Sequence, residues 1–170
     1  MSRHLDEFQV TMQTSEFDRD PVKDLTSRRQ RWMATLARAE TPAIEARLAA
    51  VGPLPAYRRL RGPEIGLVMV QGRAGGSGAA FNLGEMTVTR CTVHSERGTV
   101  GHAYVAGRDT RKAELAAALD AALQDPDAGP TLEQAVILPL ATALAAADGA
   151  VRTQADATRV DFFTLATMRS

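Results

Sequence analysis

The stretch from Ile65 to Asp109, IGLVMVQGRAGGSGAAFNLGEMTVTRCTVHSERGTVGHAYVAGRD, decides the fold class. It carries three apolar, β-rich runs, Leu67 to Gln71, Glu85 to His94 and Thr99 to Ala106, separated by glycines. The first run is nearly all apolar, as expected of a strand covered on both faces. A glycine-rich connection, Gly72 to Gly84, and a short turn, Ser95 to Gly98, link the runs into an antiparallel meander. Tyr57 to Arg61 reads as an additional edge strand, closed by a Gly62-Pro63 turn, which makes three to four strands.

The second run changes parity. Met86 and Val88 share one face, whereas Cys91 and Val93 share the other. Either a bulge near Thr89-Arg90 restores the register or both faces are covered, and covered faces are expected because the chain has enough amphipathic helix to supply them. In the third run Val100, His102 and Tyr104 face one way, Ala103 and Val105 the other.

Helices flank the meander. Ser27 lies three residues before Gln30, the spacing of a capping box, and Trp32, Met33, Leu36 and Ala37 follow at helical spacing. Thr41 then reads as an N-cap with Pro42 in the first turn, and Gly52 as the stop. After the meander, Asp109 is a natural N-cap for a helix with Leu115, Leu119 and Leu123 in its stripe. Ala135 to Leu138 stays ambiguous between helix and strand because Pro139 follows, and an alanine-rich helix resumes at Leu140. The fold class is α+β: a helical N-terminal pair, an antiparallel β-meander and C-terminal helices. Residues 1–26 read as a poorly ordered, mildly acidic arm and residues 27–170 as a single domain.

The 170 residues balance 20 basic against 20 acidic side chains, and aromatics make up only 5%. A nucleic-acid binder is therefore not expected, nor is a membrane partner, since no apolar run approaches the ~18 residues that suggest a span. A single cysteine, Cys91, excludes a disulfide framework and fits a reducing, cytoplasmic setting.

Candidate chemistry is sparse. The loop Arg73 to Gly78, with Gly75, Gly76 and Ser77, presents backbone N–H groups and one cation suited to a phosphate, but no Lys-Ser or Lys-Thr follows as a P-loop requires. Cys91 and His94 are three apart, which on a regular strand sends them to opposite faces, so no metal site is expected. His102 shares a face with Tyr104. Arg90 and Arg108 complete a set of cationic groups around the meander. No carboxylate pair, nucleophile elbow or triad is present, and no catalytic residue is assigned.

Taken together, RQRWMATLARA, GLVMVQGRAGGSGAAFNLGEMTVTRCTV, GTVGHAYVAGRD and RVDFFT resemble the PhnG family over about Ser27 to Ala166. That family is the G subunit of the bacterial phosphonate carbon–phosphorus lyase core complex. The resemblance implies a subunit that supports synthesis of a ribose 1-phosphonate 5-triphosphate from ATP and a phosphonate, mainly by scaffolding the I subunit. It also implies the H, J and L subunits as further partners. No cofactor is implied for this chain, while the J subunit uses an iron–sulfur cluster with S-adenosylmethionine. The alternative is a triphosphate- or phosphonate-binding pocket at a subunit interface, lined by Arg73, Gly75, Gly76, Ser77, Gly78, Arg90, His102 and Arg108. Interface contacts are expected from Tyr104, Val160, Phe162, Phe163 and Leu165. Strands apolar on both faces and the RVDFF end need more cover than one short chain supplies, and interfaces between subunits would provide it.

Overall fold

The structure is a computed structural model that describes residues 21–160 except 74 and 76. Two helices, α1 (Pro21–Arg38) and α2 (Thr41–Val51), precede the strands β1 (Tyr57–Arg73), β2 (Ala80–Ser95) and β3 (Val100–Ala106). Then come α3 (Thr110–Leu123), α4 (Gly129–Leu132), a π-helical turn (Glu133–Ile137) and α5 (Leu138–Ala157). The sheet order is β1-β2-β3, antiparallel throughout, so the α+β class and the meander stand as expected.

Several boundaries differ from the sequence expectation. Helix α1 starts at Pro21, where proline's missing N–H costs nothing, so Ser27 and Gln30 lie inside it rather than capping it. Of the expected arm, residues 1–20 lie outside the described residues, whereas 21–26 form the first turns of α1. Gly62-Pro63 is not a hairpin turn. Register shifts between Arg59 and Arg61, and again between Arg61 and Glu64, show that this dipeptide and Leu60 are bulges within one 17-residue strand. Gly62 adopts φ 58°, and a Cβ there would sit 2.9 Å from the Arg90 carbonyl oxygen, so glycine is required to bend the strand.

Helix α3 is the organising element of the core. Ten of its 14 residues are buried, which its short alanine side chains permit on every side. It lies on the sheet face carrying Cys91, Val93, Ala103 and Val105, and α1, α2 and α4 pack around it. Gly101 allows β3 to approach closely, since a Cβ there would meet the Ala117 carbonyl oxygen at 2.0 Å. Trp32, Leu36 and Ile44 close the far side, each fully buried and each stabilising the fold by roughly 1.5–3 kcal/mol.

The ambiguous segment before Pro139 is helical. The Leu138 N–H reaches the Glu133 carbonyl five residues back, so a π turn absorbs the proline and the helix continues from Gly129 to Ala157. This 29-residue helix is long and apolar enough, by length and composition, to cross a membrane, which the interrupted sequence pattern did not suggest. Much of its apolar character comes from alanine. Ion pairs from Arg28 to Glu133 and from Arg38 to Asp148 hold it alongside α1.

The expected cover on both faces of β2 holds only at the parity change itself, where Val88 is 6% exposed and Thr89 fully buried, and does not extend to Met86. Pairing with β3 is regular across Thr89-Arg90 and ends at Val88 opposite Ala106. Before that point β1 and β2 form a two-stranded arm that leaves the helices behind, and Met86 is 42% exposed. The core face begins at Thr89, which is fully buried and donates to the Gly107 carbonyl at 2.8 Å.

Candidate functional site: the open sheet face and the hairpin arm

The sheet face away from α3 carries the polar groups. Strand pairing puts Glu64, Arg90 and Tyr104 in one row across the three strands, and Arg61, Thr92 and His102 in the next. Arg58 and His94 follow in a third. Glu64 accepts from Arg61 at 3.0 Å and from Arg90 at 3.2 Å, and the Arg61 bond leads in holding its carboxyl below the usual range. The His102 ring nitrogen Nδ1 lies 3.2 Å from the Thr92 hydroxyl, and Tyr104 is 58% exposed. With three arginines against one glutamate, this face suits an anion or an acidic surface. Cys91 points into the core on the opposite side from His94, and burial pushes its thiol pKa up, so it has the character of a packing residue.

Of the residues singled out from sequence, the structure brings Arg90, His102 and Tyr104 together on this face. Arg73, Gly75, Ser77 and Gly78 lie apart, at the tip of the arm, where Arg73 donates to the Gly78 carbonyl at 3.2 Å. Arg73 is nine residues along β1 from Glu64, the partner of Arg90, a separation of about 30 Å at strand rise. Arg108 is exposed in the turn after β3. The cationic groups therefore do not converge within this chain. Val160 is 68% exposed, and Gly76, Phe162, Phe163 and Leu165 lie outside the described residues.

A separate cleft of about 510 Å³ opens at the far end of the sheet, between the α2–β1 connection, the β2–β3 turn and α4. Its wall is mainly apolar, with Leu54, Pro55 and Leu132, and none of the sequence-derived candidates lines it. Arg97 at its rim is held by Asp125 at 3.2 Å and Asp127 at 3.4 Å. Two backbone N–H groups, of Ala128 and Asp127, and then Arg97 lower the Asp125 pKa.

The sequence reading missed the main polar contact of the core. Within the basic cluster Arg28, Arg29 and Arg31, Arg28 pairs with Glu133 and Arg29 makes a two-bond contact with Asp120 at 2.9 and 2.7 Å. The available signal was Asp120 itself, a carboxylate set among the alanines and leucines of the second half of α3.

The sequence profile of the family described as phosphonate metabolism protein PhnG matches residues 27–168. A curated relative from Rhizobium meliloti (strain 1021), alpha-D-ribose 1-methylphosphonate 5-triphosphate synthase subunit PhnG, is 42% identical over 139 residues. The alignment covers 82% of this chain and 88% of the relative.

Proposed function

This chain belongs to the PhnG family, and from that premise we propose that it is a scaffolding subunit of a ribose 1-phosphonate 5-triphosphate synthase. In this reading it holds the I subunit, and the H, J and L subunits complete the machinery in the cytoplasm. The assembled complex uses ATP as substrate, while the iron–sulfur cluster and S-adenosylmethionine belong to the J subunit. This chain carries no cofactor of its own. The observation that supports scaffolding is the spread of its cations, with Arg73 about 30 Å along the strand from the row holding Arg90. A phosphate site needs such groups to converge within hydrogen-bond reach of one anion.

The test is co-expression with the I subunit, followed by native mass and synthase turnover. A stable complex, with turnover unchanged in an Arg73→Ala/Arg90→Ala/Arg108→Ala variant, supports the reading. Failure of the wild-type chain to enter any complex overturns it. A second reading, a triphosphate-binding surface completed by a partner, is favoured by the grouping of Arg61, Arg90 and His102 on one face. Loss of turnover in a variant complex that still assembles would select it.

A further inference from the structure

The β1–β2 arm carries the main cluster of exposed large apolar side chains among the described residues. Ile65 at its base and Leu67 and Met69 along it project from one face with 49%, 63% and 52% of their surface exposed. Strand alternation and pairing put Val68, Val70, Phe81 and Met86 on the other face, where Phe81 and Met86 are also exposed. Leu83, the extra residue at the Val70/Gln71 register shift, is 67% exposed. Among the described residues the outer edge of β1 has no strand partner in the sheet.

Building on the reading above, we infer that this arm is the element inserted into the I subunit, in an apolar groove that closes over both of its faces. The two-stranded ribbon, spanning Leu67 to Arg73, is about 23 Å long and about 10 Å wide. Each face alone offers roughly 230 Å², well short of the roughly 800 Å² per partner of a stable interface. Both faces and the open edge together approach that value.

The same geometry selects a different chain over a second copy. An isologous contact presents the same patch on both partners. Edge-to-edge pairing of two arms extends the ribbon and leaves both faces in water, and stacking of two arms covers one face of each. Apolar residues on both faces call for an occupant that surrounds the ribbon. The bulges at Leu60 and Gly62-Pro63, where β1 leaves the helices, set the arm's direction before any partner arrives.

The experiment compares the full-length chain with two variants, each co-expressed with the I subunit. Leu67→Asp/Met69→Asp alters one face and Phe81→Ser/Met86→Asp the other. These positions are exposed, so both variants should keep the wild-type circular dichroism spectrum and thermal midpoint when purified alone. Each should weaken the complex by about 100-fold or more, as loss of central apolar anchors does. If wild type assembles and both variants assemble equally well, this inference falls while the scaffolding reading stands. If only one face matters, enclosure of both faces is wrong. A defined dimer of the isolated chain that the variants abolish, with the hetero-complex intact, identifies a second copy as occupant and also overturns it. Failure of wild type itself to assemble removes both readings.

Discussion

The indole Nε1 of Trp32 donates a 2.9 Å hydrogen bond to Oδ1 of Asp120, a carboxylate with no exposed surface. The same carboxylate accepts two bonds from Arg29 and one, at 2.8 Å, from the backbone N–H of His102. Three elements, α1, α3 and β3, are thereby fixed by one side chain. The contact also satisfies the free edge of β3, where Gln124 Nε2 and Arg29 Nη2 donate to the Val100 carbonyl.

Removal of that carboxylate should be among the most damaging single changes. Asp120→Ala leaves the Arg29 guanidinium, the Trp32 indole and a strand N–H without their acceptor, at an expected cost of about 3–5 kcal/mol. Trp32→Phe removes one bond and part of the packing and should cost about 1–3 kcal/mol. Urea titration of both variants checks the order. A loss below about 0.5 kcal/mol for Asp120→Ala, the range of ordinary surface changes, would contradict it.

Gly101 and Gly84 should respond in opposite ways to alanine. At Gly101 a methyl group would lie 2.0 Å from the Ala117 carbonyl oxygen and 2.5 Å from the Ala121 nitrogen. Helix and strand must separate, with an expected cost of about 3 kcal/mol, the upper end for overpacking. At Gly84, on the arm, nothing lies within 4 Å, and the change should stay within about 0.5 kcal/mol. Thermal melts of the two variants side by side give the comparison.

Acid should weaken the fold through Asp109 and Asp125. The Lys112 backbone N–H, and then the Thr41 hydroxyl, hold the Asp109 carboxyl below its ordinary pKa, as the N–H groups of Ala128 and Asp127 do for Asp125. A depressed folded-state pKa means that the unfolded chain binds more protons, so stability rises with pH across this window. The contribution is complete above the unfolded value near ~3.9 and is lost as pH falls through the lower folded values. Urea midpoints measured from pH 5 downward should show a slope that becomes shallower in Asp125→Asn. An unchanged slope would count against this assignment.

Cys91 should resist thiol reagents. It is 2% exposed, and burial first, then the charge of Glu114, raises its pKa, so the reactive thiolate is scarce. Labelling by an aromatic disulfide at neutral pH should proceed only as the fold opens, and should accelerate in Asp120→Ala. Rapid stoichiometric labelling of the native chain is the contrary result.

Legibility from sequence followed the range of the forces involved. The α+β class, the three-strand meander, the Asp109 cap and the alternation in β3 depend on neighbours a few positions apart, and all were readable from spacing and turn residues. The Asp109 cap is seen directly, with its Oδ1 accepting from the Lys112 N–H at 2.8 Å. Gly62-Pro63 misled because the dipeptide that makes a turn also makes a bulge, and only the presence of β2 alongside distinguishes the two. Pro139 left Ala135 to Leu138 undecided because a residue without an N–H can end a helix or, as here, be accommodated by a π turn before it.

Of the candidate site, the residue types were visible in the chain but their grouping was not. Periodicity puts His102 and Tyr104 on one face, whereas the place of Arg90 beside them is set by the register of β2 with β3, and the distance to Arg73 depends on how far β1 runs without turning back. That length is a property of strand pairing. The sequence by itself determined that helices flank an antiparallel meander and which family the chain matches, because local sterics and side-chain pattern carry that information. Only the tertiary structure decided that β1 and β2 outrun the core as an arm and that Asp120 joins three elements. Both depend on contacts between residues far apart in the chain, 88 positions in the case of Trp32 and Asp120, which no local pattern encodes.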